Sequence, residues 1–229
     1  FRGLAAAVAV GGAFGFILAA LVVTYRVDQI IAGVVINLFV LGVTSYVSSQ
    51  VYQEHRFLNN APVFRPVEIP FLSEIPVIGP VFFQQNIFVY GAFIMVCVAT
   101  YYLFYTRSGL RARAVGEHPQ AADTLGINVY RTRYINVTVA GMVAGFGGAW
   151  FTLGSVGRFD EGMTGGRGYI GLAAMIVGRW HPFGALMAAL VFGFADSMQQ
   201  KLALLQTPIP SEFLAMSPYI ATIILVAGL

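Results

Sequence analysis

Long runs of apolar residues, uncharged over the thickness of a bilayer, are the feature that most limits what this chain can fold into. The first run extends from Gly3 to Thr24 and carries no charged residue between Arg2 and Arg26. A helix of about 20 apolar residues is long enough to cross the hydrocarbon of a membrane. The first run therefore predicts a spanning helix. Its repetition along the chain predicts an all-α, polytopic transmembrane helical bundle.

Further apolar runs follow, and the composition agrees with them. Only 10% of the residues are charged and 58% are hydrophobic, whereas a soluble domain carries about a quarter charged residues. The other predicted spans are Ile30–Val51, Ile87–Tyr105, Tyr134–Leu153, Phe183–Gln200 and a shortened Phe213–Leu229. Because the chain lacks an initiating methionine and ends inside an apolar run, we expect 1–229 to be a single transmembrane domain from a longer protein.

One apolar run, from Tyr169 to Val177, is too short to cross a membrane. It has about half of the required length and is followed by a turn that contains Pro182. Broken helices are tolerated at membrane depth only where their backbone is buried in protein or lines a cavity. A broken half-helix is therefore expected after the fourth span.

The arginines predict how the spans are oriented. The segment Arg107–Arg133 contains five arginines against two carboxylates, and positively charged loops stay on the cytoplasmic side. Counting spans from this cytoplasmic loop, 107–133, puts Arg26–Gln29 on the same side. It makes 52–86 an ordered extracytoplasmic loop, in which five prolines exclude a regular spanning helix. The segment Arg158–Arg167 is also expected outside.

A short helix is predicted inside the cytoplasmic loop. Pro119 suits the first helical position, and Gly126 suits a left-handed C-terminal cap. A helix of about two turns is not stable alone, so it must dock on another surface. Ala121, Ala122 and Leu125 offer a small apolar face for this purpose. A surface helix that lies on its own bundle is the alternative.

Glycines at a spacing of four residues predict close contact between helices. Gly11 and Gly15 form one such pair in the first span, and Gly141 and Gly145 form another in the fourth. Small residues at this spacing let helix backbones approach each other. General packing within the bundle is sufficient to explain both pairs.

Polar and aromatic side chains inside the predicted spans are candidates for a transport pathway. A central charge costs about 2.5–3.5 kcal/mol on insertion scales, so such residues are functional candidates by default. The candidate substrate-pathway residues are Asn37, Phe39, Phe146, Trp150 and Asp196. An interhelical hydrogen bond, an arginine partner for the carboxylate and ordinary aromatic packing remain alternatives. The candidates at the outer mouth are Asp160, Glu161 and Arg167, for which a solvated loop is the alternative.

Motifs for catalysis, metal binding and nucleotide binding are missing or out of context. His55, His118 and His181 lie in different segments, so no metal site is predicted. The run Gly166–Gly171 matches GxGxxG, but a dinucleotide site also needs a βαβ unit, and here the glycines are expected to open the half-helix. Without a nucleophile–base arrangement or a GxxxxGK[ST] loop, the chain is not predicted to be an enzyme. The arginines cluster beside spans, which indicates orientation rather than nucleic-acid binding.

The sequence GLRARAVGEHPQAADTLGIN, within the cytoplasmic loop, resembles the coupling segment of bacterial ABC-importer permeases of the branched-chain amino acid and simple-sugar type. In that family the short helix sits in a groove of an ATPase subunit, and the resemblance implies that ATP and Mg²⁺ are bound by that subunit and that this chain holds no cofactor. The resemblance implies ATPase coupling by Arg113, Gly116, Glu117, Pro119, Ala121, Ala122, Leu125, Gly126 and Ile127.

Three further stretches resemble the nucleoside-transporting branch of this permease family. They are Val27–Val47, Ile69–Tyr90 and Gly154–Gln200, of which the last, with Gly178-Arg179-Trp180-His181-Pro182, is the most specific. The resemblance implies a multi-pass permease of the bacterial inner membrane that carries nucleosides. It also implies ATPase subunits, a second and different permease subunit, and an extracytoplasmic substrate-binding lipoprotein.

Two other functions stay open. The same machine could carry a simple sugar or a branched-chain amino acid. Alternatively, the chain could be a stand-alone secondary transporter or channel, for which Asp196 is the only carboxylate inside a span able to couple an ion.

Overall fold

A computed structural model of the chain describes residues 1–54, 59–68 and 83–205, together with Met216 and Ile223. The predicted last span, Phe213–Leu229, otherwise lies outside the described residues. The helices are α1 (Arg2–Ala19), α2 (Gln29–Glu54), α3 (Ile87–Tyr105), α4 (Arg107–Glu117), α5 (Pro119–Thr124), α6 (Val129–Ala149), α7 (Arg167–Val177) and α8 (Pro182–Leu204). Two short strands, β1 (Val67–Glu68) and β2 (Gln84–Gln85), pair antiparallel.

The prediction of an all-α membrane bundle is confirmed. Four helices of the described part are long and apolar enough to cross a membrane: Arg2–Thr24, Gln29–Tyr52, Ile87–Tyr105 and Val129–Val156. The first and last of these include π-helical ends, Ala20–Thr24 and Trp150–Val156. The predicted span Phe183–Gln200 is indeed helical, but α8 is not among the four, because its last third carries polar residues such as Asp196 and Gln199.

The chain divides into two compact units. The first comprises Phe1–Phe93 and Tyr102–Thr164, and it contains α1, α2, α4, α5 and α6. The second comprises Ile94–Tyr101 and Gly165–Leu229, in which α7 and α8 pack against each other. The helix α3 contributes residues to both units.

Helices α1 and α6 pack antiparallel through the two predicted glycine pairs. A Cβ atom added to Gly11 would collide with the carbonyl oxygen of Gly141, and one added to Gly145 would collide with the carbonyl oxygen of Ala7. A Cβ atom on Gly15 would lie 2.8 Å from the carbonyl oxygen of Val137. The spacing therefore predicted the contact correctly, since the absence of side chains is what lets these two backbones touch.

The antiparallel packing also brings the predicted cytoplasmic ends of α1 and α6 together. The hydroxyl groups of Thr24 and Tyr134 are hydrogen-bonded to each other. Arg26 and Arg133 line one cleft beside this bond. The expectation that these two arginines lie on the same side is confirmed, because α1 ends where α6 begins.

At the opposite end of α6, the described part of the predicted extracytoplasmic loop is hydrogen-bonded to the end of the π-helical segment. The backbone amide of Ala61 donates to the carbonyl oxygen of Gly157 at 2.7 Å, and Phe64 donates to Leu153 at 2.9 Å. The side chain of Asn59 donates to the carbonyl of Phe159 and accepts from its amide, at 2.8 and 2.7 Å. Asn59 and Phe159, one from each of the two segments predicted to lie outside, therefore meet at one end of the first unit.

In the second unit, α7 is the predicted half-helix. It has 11 residues, or about 16 Å at 1.5 Å per residue. It is apolar but too short to span a membrane. It begins after Gly166, whose φ is +76°, as expected for glycines that open the half-helix. The return to α8 passes through Arg179 and Trp180, whose φ angles are +53° and +59°. Ala174, Ala188 and Phe192 form the buried contact between α7 and α8.

Candidate functional site

The short helix α5 ends in a glycine cap of the predicted kind. Gly126 has a φ of +77°, and its amide donates to the carbonyl oxygen of Asp123 at 2.9 Å. The amide of Ile127 donates to the carbonyl oxygen of Ala122 at 3.1 Å. This pair of bonds is a Schellman motif. It fixes the exit from α5 and turns the chain towards α6.

The helix α4 was missed, because the whole segment 107–133 was taken as a loop with one short helix. Thr106 caps α4 by accepting a hydrogen bond from the amide of Gly109 at 3.1 Å. Gly109 and Val115 are buried, and a Cβ atom on Gly109 would lie 2.6 Å from the Cα atom of Leu103. The threonine before a run of helix-forming residues was the available signal. The predicted coupling segment therefore contains two helices, α4 and α5, both in contact with α6.

The predicted apolar face of α5 is divided. Ala122 is 2% exposed because it packs within its own chain, whereas Ala121 is exposed. Leu125 lies just after α5 instead of inside it, and its side chain is 81% exposed. The alternative of a helix that lies on its own bundle is thus correct for Ala122. Leu125 is left as the large apolar side chain that faces outwards.

The other predicted coupling residues lie around α5. The Arg113 guanidinium stacks over the Phe104 ring, 4.5 Å from its centroid, which is a cation–π contact. Gly116 and Glu117 are exposed at the end of α4, while Pro119 and Ile127 are half-buried on either side of α5. A Cβ atom on Gly116 or Gly126 would meet nothing within 4 Å. One face of the segment is therefore open.

The predicted outer-mouth residues are found in different units. In the first unit, Asp160 forms a salt bridge of 2.9 Å with Arg158, and Glu161 accepts a hydrogen bond of 3.2 Å from the Ser45 hydroxyl. Arg167 lies in the second unit at the start of α7.

Arg167 and Asp196 are brought together across α7 and α8. The guanidinium lies 3.6 Å from the carboxylate of Asp196, which also accepts a hydrogen bond of 3.0 Å from Gln200. The arginine partner that was considered for Asp196 is therefore present. The pair ties the beginning of the half-helix to the last third of α8.

The remaining pathway candidates have different surroundings. Phe146 is half-buried, with its ring 5.3 Å from the Phe88 ring, so aromatic packing accounts for it. The Trp150 ring packs edge-on to Phe151 at 5.1 Å. Asn37 and Phe39 lie exposed on α2, of which only 6% of the apolar stretch is buried. Within the described chain, the Asn37 side chain makes no hydrogen bond, so the interhelical bond considered for it is not formed here.

Side-chain groups of the kind that binds metal ions in proteins are absent from the described residues. Among residues 1–54, 59–68 and 83–205, no group of three histidine, cysteine or carboxylate residues could hold a metal ion. Of the three histidines, His55 lies outside these ranges.

Comparison with known proteins identifies relatives over the whole chain. The family model described as branched-chain amino acid transport system, permease component, matches residues 1–229. The guanosine ABC transporter permease protein NupQ of Bacillus subtilis is 41% identical over 98% of the chain and 72% of its own length. The nucleoside ABC transporter permease protein NupC of Lactococcus lactis is 41% identical over 95% of the chain and 69% of its own length.

A more distant relative is named for a different substrate. The putative glucose ABC transporter permease protein TsgC13 of Haloferax volcanii is 33% identical over 90% of the chain and 63% of its own length. No solved structure matches the chain.

Proposed function

The chain belongs to the family of permease components of branched-chain amino acid transport systems, and on this premise we propose that it imports nucleosides as the transmembrane subunit of an ATP-driven transporter. It is a multi-pass protein of the cell membrane and a translocation component rather than an enzyme. Permeases of ABC transporters work with an ATPase and a substrate-binding protein. ATP and Mg²⁺ would accordingly be bound by the ATPase partner and not by this chain.

The observation that carries the nucleoside proposal is the similarity to NupQ and NupC. Both are named for guanosine or nucleoside transport, and both align with at least 95% of the chain at 41% identity. TsgC13, which is named for glucose, is less similar at 33%. A simple sugar is therefore the second candidate for the substrate, in keeping with the breadth of the family.

Competition for uptake tests the substrate. In vesicles that contain the assembled transporter and its binding protein, unlabelled guanosine is expected to suppress the uptake of a labelled nucleoside, and an equal excess of glucose or leucine is not. Suppression by glucose together with no effect of guanosine would favour the sugar importer. Uptake that needs an ion gradient and no ATP would favour a secondary transporter instead.

The segment 107–133 is proposed to receive the ATPase. Its Schellman cap holds Gly126 in a fixed conformation, and the 81% exposed side chain of Leu125 stands beside that cap. An exposed leucine on a rigid turn can fill an apolar pocket of a partner at little cost in conformational entropy. The coupling residues named from the sequence, apart from buried Ala122, are accessible or half-accessible to such a partner.

A secondary transporter is disfavoured by the surroundings of Asp196. This carboxylate is the only one inside a predicted span, and it is already engaged by Arg167 and Gln200. An arginine neighbour supplies the positive charge that a coupling cation would otherwise provide. The pair is better suited to holding α7 against α8.

Partners at the membrane level and at the outer mouth complete the proposed assembly. Among the described residues, only 6% of the apolar stretch of α2 is buried, and its exposed Asn37 would be costly against lipid. We place a second, different permease subunit or the substrate cavity on this face. The carboxylates Asp160 and Glu161, at the end where the outer segments meet, would contact the extracytoplasmic binding lipoprotein.

Replacing Asn37 by leucine tests the pathway role of this amide. We expect Asn37→Leu to lower nucleoside uptake by about tenfold, because one lost hydrogen bond in a dry site is worth on the order of 1.4 kcal/mol. The matched control is Thr44→Val, since Thr44 lies on the same helix but bonds to the Val40 carbonyl at 2.8 Å. Unchanged uptake in Asn37→Leu, with the complex intact, would return Asn37 to a packing role.

A further inference from the structure

A cleft of about 540 Å³ lies between the coupling segment and the first turns of α6. Its polar wall includes Ser108 and Arg111 from α4, and Asn128, Arg131 and Thr132 from the start of α6. Among the described residues, the lining has two guanidinium groups and no carboxylate. Because these residues supply no counter-charge for the two guanidinium groups, the wall attracts an anion.

The two arginines of the cleft have no salt-bridge partner among the described residues, whereas three other arginines there are engaged. Arg113 is stacked on Phe104, Arg158 is paired with Asp160, and Arg167 is paired with Asp196. In the parts of the chain that the structure covers, neither Arg111 nor Arg131 has a salt-bridge partner, and both side chains are exposed. Two unpaired guanidinium groups on one cleft favour a ligand with a phosphate or a similar oxyanion.

The apolar wall of the cleft favours an anion that also carries an apolar part. Tyr102, near the end of α3, and Ile135, in the second turn of α6, line the cleft on the side of the spanning helices, while Leu125 and Ile127 line it beside the exit from α5. They are 39% and 48% exposed. A ligand that fills the cleft thus meets arginines at the polar end and uncovered apolar side chains where the spans begin. This is the sequence of environments along an anionic phospholipid, from headgroup to acyl chain.

We propose that this cleft binds the headgroup of an anionic phospholipid from the cytoplasmic leaflet, with the phosphodiester between Arg111 and Arg131. The acyl chains lie along α3 and α6 past Tyr102 and Ile135. Because α4 supplies one arginine and α6 the other, the lipid bridges the coupling segment to a spanning helix. It therefore stabilises the position of α4 relative to α6 before any ATPase docks.

The test measures lipid binding by the complete purified transporter. The double variant Arg111→Gln/Arg131→Gln is compared with Arg107→Gln/Arg133→Gln, which removes the same charge from residues that do not line the cleft. Native mass spectrometry counts the phosphatidylglycerol molecules that stay bound after delipidation and re-addition from phosphatidylglycerol vesicles. The cleft variant is expected to lose one bound lipid and to bind phosphatidylglycerol at least tenfold more weakly. The control variant is expected to keep the lipid count and the affinity of the unchanged protein. The double lysine variant, Arg111→Lys/Arg131→Lys, is expected to keep partial binding and reports that the fold is intact.

Several outcomes would overturn the proposal. Equal lipid retention in the cleft and control variants would show that the arginines do not select the headgroup. Displacement of the lipid by inorganic phosphate at equal concentration would show a soluble oxyanion site without a contribution from the acyl chains. Loss of the lipid from the complete transporter, together with its retention by the permease purified without the ATPase subunit, would assign the cleft to an acidic segment of that subunit. The lipid count does not depend on which substrate is transported, so it stands apart from the uptake tests.

Discussion

Replacing Gly141 by leucine is expected to prevent α1 and α6 from packing and to abolish the folded chain. Even the Cβ atom alone, placed on Gly141, would collide with the carbonyl oxygen of Gly11 and approach the Cα atom of Gly15 to 2.8 Å. Both neighbours are backbone atoms, so no side chain can rotate away. For Gly141→Ala we expect a cost in the range of overpacking, about 1–3 kcal/mol. The melting temperature in detergent, followed by fluorescence-detected size exclusion, measures both variants.

The same helix provides a matched control for this contact. A Cβ atom on Gly147 would meet nothing within 4 Å, so Gly147→Ala should leave the melting temperature of the isolated chain unchanged or slightly raised, since alanine favours helix. Gly11→Ala should resemble Gly141→Ala, and the double variant should fall short of the sum because both changes disturb one contact. Equal stability of the Gly141 and Gly147 variants would contradict the proposed packing of the two glycine pairs.

The spans, the half-helix and the glycine contact could be predicted because lipid and close packing impose rules that depend on local sequence. A run such as Gly3–Thr24 has one stable structure in hydrocarbon. Gly126 was recognisable as a cap because few residues other than glycine adopt its φ of +77°. In the same way, the short run Tyr169–Val177 predicted the half-helix α7, which is confirmed by its 11 residues.

The sequence predicted less about which way individual side chains face. Ala122 and Leu125 were assigned to one apolar face, but the helix ends at Thr124, and Leu125, which follows it, is exposed. The helix α4 was not predicted because its sequence is rich in arginine. Its packing depends on two residues, Gly109, which contacts α3, and Val115, which is buried. Such contacts join residues from different helices, and the period of one helix does not reveal them.

The in-span polar residues illustrate the same limit at the candidate site. Depth in a predicted span marked both Asn37 and Asp196 as functional candidates. The structure separates them: Asp196 is paired with Arg167, and the Asn37 side chain is exposed. Depth in the membrane follows from position along a helix, whereas the partner of a side chain depends on the rotation of that helix against others. Asn37 thus remains the stronger candidate for contact with substrate.

Leu125→Asp is expected to uncouple ATP hydrolysis from uptake without unfolding the permease. The side chain is 81% exposed within the chain, so its loss should leave the melting temperature of the isolated permease nearly unchanged. An apolar anchor at the centre of an interface contributes about 2 kcal/mol or more, which corresponds to a weakening of at least about 30-fold. Uptake should fall by at least tenfold, and less ATPase subunit should co-purify with the permease. Leu125→Met, which preserves the apolar surface, should support normal uptake.

The comparison with Ala122 separates docking from folding. Ala122 is 2% exposed, so Ala122→Arg should lower the stability of the permease itself, because a charged side chain has no space or partner there. Gly126→Pro should impair ATPase docking and also lower the stability of the permease. Proline cannot adopt a φ of +77° and lacks the amide that donates to the Asp123 carbonyl. Three variants within five residues thus give three different results if Leu125 is the docking residue. Normal uptake and normal co-purification in Leu125→Asp would exclude that role and move the ATPase contact to the exposed end of α4, at Gly116 and Glu117.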